Sequence, residues 1–311
     1  MSQSAQQLID TTIAQLNKII LGKPNQVRLA LTCLFADGHL LLEDLPGMGK
    51  TTLAHGLAQV FGLQYKRVQF TSDLLPADVI GAPIFNATEA TFTFHHGPVF
   101  SQIFLADELN RATPRAQSAL LEAMEERQVS VDGKTHALPA PFFVIATQNP
   151  QTQSGTFPLP ESQLDRFLMR LSLGYPDQKV ERQLLRGQHG RSALNSIQRC
   201  ISNSQLKAIQ QQVPQITISD ALMDYVQRLV AETRQHEQCQ LGLSPRGALA
   251  LVHSAQSWAL IQGRGHVLPE DVQAVFVPVA GHRLTGRRDT QGNQLARQIL
   301  NSVDVVGGVS V

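Results

Sequence analysis

A glycine-rich segment carries the most specific chemical signal in the sequence. Residues 42–52 read LEDLPGMGKTT, with Gly47 and Gly49 just before Lys50 and Thr51. Glycines let backbone N–H groups turn inward around phosphate oxygens, and a helix that begins near Lys50 directs its positive end at them. In such a loop Lys50 reaches the terminal phosphates and the Thr51 hydroxyl binds Mg²⁺. The segment therefore predicts a site for a nucleoside triphosphate with Mg²⁺, unless it is an incidental glycine-rich turn.

One position in this loop departs from the strict GxxxxGK[ST] pattern, because Asp44 stands where the first glycine is expected. Aspartate tolerates unusual turn conformations better than most residues, so we expect the backbone of Asp44 to make the turn despite its Cβ. The loop residues that we expect to bind the nucleotide are Asp44, Pro46, Gly47, Met48, Gly49, Lys50, Thr51 and Thr52.

Two acidic residues follow a short apolar run further along the chain. The run Ile103–Ala106 reads as a buried strand and leads directly into Asp107 and Glu108. Open α/β sheets bind ligands at the carboxyl ends of their strands. Asp107 is expected to contact Mg²⁺ through water, and Glu108 to orient and deprotonate an attacking water. The alternative is that the two acids only cap the next loop.

Three more polar residues are candidates for the same site. Asn149 closes an apolar run, where its amide could sense the γ-phosphate or position water. Arg166 and Arg246 stand at element boundaries, where each taken singly is either a helix-end salt-bridge partner or a functional cation.

The elements around these residues follow an α/β pattern. Helices are predicted at Ala5–Ile20, Val27–Phe35 and Thr51–Phe61, the last of which stops at Gly62. Five short apolar runs alternate with helical segments, which is typical of a parallel sheet covered on both faces. These runs are His39–Glu43, Tyr65–Phe70, Ile103–Ala106, Phe142–Thr147 and Phe167–Leu173.

Two hairpins are predicted within this part of the chain. Residues 129–136 alternate around Asp132-Gly133, a strong hairpin signal. Residues 84–85 and 92–94 flank a polar turn and predict a second hairpin, in which Phe92 and Phe94 either pack or form exposed contacts.

Beyond residue 174 the strand-like runs nearly vanish, and an all-helical second domain is predicted from Asp220–Glu232, Pro245–Ile261 and Pro269–Val275. We therefore divide the chain into an αβα core with N-terminal helices (1–173), a linker (174–195), and a helical domain with a C-terminal tail (196–311). Residues 286–311 fit no motif.

Composition limits the compartment and the partners. The chain has 311 residues, with 26 basic and 25 acidic side chains and a formal charge of +1. This balance argues against a nucleic-acid or anionic-membrane partner. No run of 18 apolar residues is present, so no membrane insertion is predicted. Three scattered cysteines cannot form a closed disulfide framework, which favours a reducing cytoplasm.

Taken together, the motifs resemble the MoxR branch of the AAA+ ATPases. LLEDLPGMGKT, DELNRATPRAQSALLEAMEE, ATQNP, LDRF and LSPRGAL occur in that family's order, and the resemblance covers about residues 5–285. It implies a P-loop NTPase core with five parallel strands in the order 5-1-4-3-2, followed by a helical lid. It also implies that the two hairpins are the helix-2 and pre-sensor-1 inserts.

The resemblance assigns a role to each motif. Residues 47–52 are similar to Walker A, Asp107 and Glu108 to Walker B, and Asn149 to sensor 1. Arg166 resembles the arginine finger, which completes the site of the adjacent subunit, and Arg246 resembles sensor 2.

The roles of two arginines stay open at this stage. Arg246 can act in its own subunit or in the neighbouring one. Arg111 can face the neighbouring nucleotide or form a local salt bridge. Gly22, in Ile20-Leu21-Gly22, resembles the N-terminal segment that touches adenine.

The implied function is hydrolysis of ATP to ADP and phosphate by a ring of identical subunits, for which we expect a hexamer. The family's role is chaperone-like maturation of protein clients, often with partners that carry von Willebrand factor A domains. One alternative is a nucleotide-gated scaffold with little turnover. Another is a nucleic-acid-associated motor, for which Arg283, Arg287 and Arg288 could supply a small basic patch.

Overall fold

The computed structural model describes residues 4–88, 90–149, 155–186, 194, 196–287 and 290–306. Its strands are β1 (Leu40–Glu43), β2 (Tyr65–Gln69), β3 (Gly81–Asn86), β4 (Thr91–His96), β5 (Ile103–Asp107), β6 (Gln128–Val131), β7 (Lys134–Ala137), β8 (Phe143–Gln148), β9 (Met169–Leu171), β10 (Cys239–Leu241) and β11 (Thr285–Gly286). Its α-helices are α1 (Ala5–Asn17), α2 (Pro24–Phe35), α3 (Lys50–Phe61), α4 (Pro76–Ile80), α5 (Pro114–Glu126), α6 (Glu161–Leu164), α7 (Gln178–Leu185), α8 (Asn203–Gln212), α9 (Asp220–Gln235), α10 (Pro245–Ile261), α11 (Pro269–Ala280) and α12 (Gly292–Ser302).

A five-stranded parallel sheet forms the centre of the core. The strand order is β2-β5-β8-β1-β9, which confirms the predicted order 5-1-4-3-2 when these five strands are numbered along the chain. Glu43 lies opposite Gln148, and Gln69 lies opposite Asp107. The carboxyl ends of the strands are therefore level at one edge of the sheet, where the predicted acids lie.

Hydrophobic side chains cover both faces of this sheet. Successive strand residues point to opposite faces. Leu40 and Leu42 belong to a cluster that includes α1, α2, α3 and several lid helices, whereas Leu41 belongs to a second cluster with α5. Every residue of β5 and β8 is buried. This double covering is the physical reason why these strands read as continuous apolar runs.

Both predicted hairpins are present, as β3–β4 and β6–β7. The second turns at Asp132 and Gly133, whose φ angles of 52° and 73° are those that a tight hairpin turn requires. In the first, Phe94 stacks on His136 with 4.2 Å between ring centroids, whereas Phe92 is 69% exposed. Each of the two interpretations of these phenylalanines therefore holds for one of them.

The second domain, which we call the lid (described residues from 196 to 306), is helical with one addition. β10 and β11 form a short antiparallel pair that an all-helical prediction lacks. Helix α7 lies in the predicted linker, and α12 lies in the predicted C-terminal tail. Linker residues 187–193 and 195 lie outside the described residues. None of the described helices is long and apolar enough to cross a membrane.

Candidate nucleotide site and arginine cluster

The glycine-rich loop connects β1 to α3 as predicted. Gly47 and Gly49 have φ angles of 86° and 92°, which side-chain-bearing residues rarely adopt. A Cβ at either position would meet no atom within 4 Å, so backbone conformation rather than space requires glycine. α3 begins at Lys50, ends at Phe61 and is capped by Gly62, whose φ of 61° is that of a left-handed helix cap. The N-terminus of a 12-residue helix therefore opens onto the loop, as phosphate binding requires.

Lys50 is buried beneath this loop. Lys50 is 7% exposed, and its Nζ donates a hydrogen bond to the main-chain oxygen of Asp44 at 2.6 Å. Burial lowers the pKa of Lys50, while the nearby carboxylates of Asp44, Asp107 and Glu108 act in the opposite direction. The lysine and both predicted acids are thus close enough to interact electrostatically, and they belong to one site.

Asp107 ends β5 and contacts both neighbouring strands. One carboxylate oxygen accepts a hydrogen bond from the Thr147 hydroxyl at 2.6 Å. The other accepts two from the Arg67 guanidinium, at 2.6 and 3.0 Å. Carboxylates have about four acceptor positions, so Asp107 retains capacity for a further ligand. With the Thr51 hydroxyl in the first turn of α3, it supplies the hard oxygen donors that Mg²⁺ prefers.

Glu108 has an unusual backbone conformation, and several donors surround its carboxylate. Its φ of 57° lies in the left-handed region, which is uncommon for a non-glycine residue and recurs at functional sites. Its carboxylate accepts hydrogen bonds from Gln69 at 2.8 Å and from Asn149 at 3.2 Å. Arg111 forms a salt bridge with it at 2.9 Å, so the local interpretation of Arg111 is the one present here. The structure thus brings Glu108 and Asn149 together.

A cavity of about 750 Å³ lies beside the loop. Ligand pockets of this kind commonly measure about 300–1,000 Å³. Its lining residues are Ile19, Ile20, Leu21, Lys23, Pro46, Gly47, Met48, Gly49, Thr52, Gly174, Tyr175, Pro176, Val180 and Leu184. Gly22 lies within this N-terminal wall, and a Cβ there would come 2.8 Å from the Val180 side chain. The wall at 174–184 was not predicted as part of the site, because scattered apolar residues in a linker form no recognisable motif.

Asp44 makes contacts that the sequence did not predict. Its backbone makes the turn without a positive φ, so the Cβ is accommodated there. Its carboxylate accepts hydrogen bonds from Ser172, Leu173 and Gly174, at the end of β9. The side chain of Asp44 therefore faces the junction between core and lid, and its contact with Lys50 is made by the main-chain oxygen.

Arg166 and Arg246 form a second cluster away from the loop. Both guanidinium groups contact the carboxylate of Glu125, with 2.9 Å between Arg166 Nη2 and Glu125 Oε2. The hydrogen bond from Arg246 holds the pKa of Glu125 below its ordinary value. The cavity around them measures about 290 Å³ and shares no lining residue with the cavity at the loop. The structure thus joins the two predicted arginines and separates them from Lys50 of the same chain.

The structure excludes Arg283 from the basic patch that the nucleic-acid alternative would use. This residue is 6% exposed and donates to the Asp165 carboxylate at 2.6 Å and to the carbonyl oxygen of Phe167 at 2.7 Å. Its guanidinium group binds the lid to Asp165 and Phe167 on either side of Arg166, so it is not available to nucleic acid. Arg287 is exposed, and Arg288 lies outside the described residues.

Comparison with known proteins agrees with this geometry. Residues 39–169 match the ATPase family associated with various cellular activities (AAA), and residues 231–303 match the AAA lid domain. The two matches define an AAA nucleotide-binding core followed by its lid. A solved structure from Cytophaga hutchinsonii, described as a candidate ATPase, has a TM-score of 0.86 and 35% identity, with 96% of this chain and 95% of that chain covered.

Two curated relatives extend the similarity to nearly the whole chain. The uncharacterised protein YeaC of Bacillus subtilis is 42% identical over 303 residues, with 96% of this chain and 95% of the relative covered. Chaperone MoxR1 of Mycobacterium tuberculosis is 38% identical over 303 residues, with 94% of this chain and 79% of the relative covered. The chain therefore belongs to the MoxR family of AAA+ ATPases.

Proposed function

We propose that the chain binds ATP with Mg²⁺ at the loop 44–52 and hydrolyses it to ADP and phosphate. The observation that carries this proposal is the meeting of Lys50, Asp107, Glu108 and Asn149 at one edge of the parallel sheet. Lys50 neutralises charge on the terminal phosphates, Glu108 accepts a proton from the attacking water, and Asn149 orients it. Thr51 and Asp107 would hold Mg²⁺, which would supply further positive charge to the phosphates.

The cavity beside the loop suits the rest of the nucleotide. Its walls at 19–23 and 174–184 contribute apolar side chains, among them Ile20, Leu21 and Val180. Mostly apolar walls with a few polar groups are usual where a flat base binds. We therefore assign the base to this cavity, with the turn at Gly22 allowing the two walls to approach.

We further propose that Arg166 and Arg246 both act on the nucleotide of a neighbouring subunit. They share one carboxylate partner in a cavity separate from the loop. Each chain would therefore supply the phosphate loop of one site and the arginines of the next. An arginine finger of this kind contributes about 10³–10⁵ in rate in related phosphoryl-transfer enzymes. Hydrolysis then requires a closed ring, for which a hexamer of identical subunits is our expectation.

The proposed work of the ring is chaperone-like remodelling of protein clients. Ile84, Phe85 and Phe92 on the β3–β4 hairpin are each more than half exposed, at 52%, 53% and 69%. Exposed apolar groups of this kind mark protein contacts. Partners with von Willebrand factor A domains and a cytoplasmic location complete the proposal, and the unpaired Cys33, Cys200 and Cys239 suit a reducing compartment.

Calorimetry and a turnover assay with purified protein test this function. The wild-type chain should bind ATP in the presence of Mg²⁺, and Lys50→Ala should lose most of that affinity because the phosphates lose their buried cation. Equal ATP affinity in both proteins would contradict the assignment. Binding without turnover, even at high protein concentration, would support the nucleotide-gated scaffold. Stimulation of turnover by DNA or RNA would support the nucleic-acid motor.

A further inference from the structure

Residues 172–174, which follow β9 and lead toward the lid, are hydrogen-bonded to Asp44. The Asp44 carboxylate accepts hydrogen bonds from the Ser172 hydroxyl at 2.8 Å, from the Gly174 amide at 3.2 Å, and from the Leu173 amide. Asp44 is only 8% exposed, so water competes little for these bonds. Hydrogen bonds to an ionised acceptor are roughly twice as strong as those between neutral groups. Three such bonds join the carboxylate of Asp44 to the short segment 172–174.

The main chain of Asp44 contacts the phosphate side of the site. Its carbonyl oxygen accepts the bond from Lys50 Nζ, and its amide donates to the Gln148 carbonyl at 3.4 Å. A single residue thus touches the buried lysine, the end of β8 and the beginning of the core–lid junction. Glycine, the usual residue at this position of the motif, can make the main-chain contacts but not the three side-chain contacts.

The segment 172–174 begins one wall of the nucleotide cavity. Gly174, Tyr175 and Pro176 line that cavity, followed by Val180 and Leu184 of α7. The opposite wall approaches the same segment, since Lys23 Nζ donates to the Tyr175 carbonyl at 2.6 Å. The hydrogen bonds between Asp44 and residues 172–174 therefore set the distance between this wall and the loop.

We propose that Asp44 is a positioning residue that holds the base-side wall of the nucleotide cavity in place against the phosphate loop. This inference rests on the proposed nucleotide site and adds to it a determinant of base binding. Its consequence is a separation of effects. Ligands that contain a base depend on the Asp44 carboxylate, whereas a bare chain of phosphates depends on the loop and Lys50 alone.

Two substitutions approach the contact from opposite sides. Asp44→Asn keeps the size of the side chain but turns part of the acceptor into a donor that faces other donors. Ser172→Ala removes one donor without changing the loop. Asp73→Asn, on an exposed surface residue, is the matched control. For each full-length protein, calorimetry measures the Kd of ATP and of inorganic tripolyphosphate, both with Mg²⁺.

We expect Asp44→Asn to weaken ATP binding about ten-fold and Ser172→Ala about three-fold, with tripolyphosphate binding unchanged in both. The double variant should be weakened by less than the product of the two effects, because both substitutions break the same contact. Asp44→Gly, which restores the strict loop motif, should also bind ATP more weakly than the wild type. Asp73→Asn should match the wild type for both ligands.

Three results would overturn this inference. If Asp44→Asn weakened the binding of ATP and of tripolyphosphate equally, Asp44 would support the loop alone. If ATP affinity were unchanged, the contacts of Asp44 would have no effect on nucleotide binding. If Asp44→Asn does not fold, Ser172→Ala decides alone, and equal effects on the two ligands would count against the proposal. A wild-type chain that binds no ATP would refute the proposed function itself, which is a different result from any of these.

Discussion

The two polar clusters of this chain differ in how far they are enclosed. At the phosphate loop Lys50, Asp107 and Asn149 are 7%, 8% and 3% exposed, and the acids accept hydrogen bonds from two neighbouring strands. In the arginine cluster the side chains of Arg166 and Arg246 are 28% and 52% exposed and share one carboxylate. An enclosed cluster suits a ligand bound within the chain. An open pair of cations suits an anion presented from outside.

The largest effect should come from the open cluster. Arg166→Ala should lower ATP turnover by about 10³-fold or more, because the transition-state charge loses its cation. ATP affinity should change little, since the arginine is not at the chain's own loop. A steady-state turnover assay with calorimetry checks both values. Arg127→Ala is the matched control, because Arg127 lines the same cavity but pairs with Asp37. Normal turnover in Arg166→Ala would refute the assignment.

The enclosed cluster should respond differently to loss of its base. Glu108→Gln should retain ATP binding and lose turnover by about 10²–10⁴-fold, because the amide cannot take a proton from water. Binding and turnover are measured as for Arg166→Ala, with the exposed Glu122→Gln as control. Turnover of the wild type no faster than that of Glu108→Gln would favour the scaffold function.

A smaller effect tests whether the two arginines act as a pair. Glu125→Gln should lower turnover about ten-fold, because the guanidinium groups lose the charge that holds them side by side. Affinity for ATP should stay the same. Glu126→Gln, the next residue on α5, should leave turnover unchanged. A matching loss in both variants would mean that α5 as a whole, rather than this carboxylate, supports the cluster.

The smallest effect concerns stability at acid pH. His39 lies in the wall of the arginine cavity, where its Nδ1 accepts from the Val144 amide and its Nε2 contacts the Met124 carbonyl oxygen. Burial lowers the pKa of His39 from 6.5 to about 4. The unfolded chain therefore binds the proton first, and stability should fall by up to roughly 3 kcal/mol as the pH drops from 6.5 toward 4.

Denaturant unfolding across this pH range measures the loss. His39→Gln, whose amide can both donate and accept, should show a shallower decline. Some decline should remain, because burial also lowers the pKa of His282. His95→Gln, on an exposed residue, should follow the wild type. Identical declines in His39→Gln and the wild type would remove His39 as the cause.

The difference between the clusters also marks what the sequence can predict. The five strands, both hairpins and the phosphate loop were predictable, because apolar runs, glycine spacing and polar turns are local signals. The order of the strands came only from the resemblance to the MoxR branch. The partners of Asp44 lie 128 to 130 residues away, and Asp165 lies 118 residues from Arg283. No spacing rule reaches so far, which is why the sequence predicted neither the side-chain partners of Asp44 nor the burial of Arg283.

Helix ends show a milder form of the same limit. α11 was predicted to stop at Val275 but continues to Ala280, with Pro278 inside it. Val275, Phe276, Val279 and Ala280 are all buried, and this packing outweighs the hydrogen bond that proline cannot donate. Local propensity therefore predicted where α11 begins but not how far tertiary contacts extend it.

Mixing two inactive variants tests the central claim most directly. Lys50→Ala subunits lack the loop cation but keep Arg166, whereas Arg166→Ala subunits keep the loop but lack the finger. If the two clusters serve different subunits, rings assembled from both variants contain some sites with Lys50 on one side and Arg166 on the other, and ATP turnover should reappear. Mixed rings verified by native mass spectrometry that remain as inactive as either parent would contradict the account.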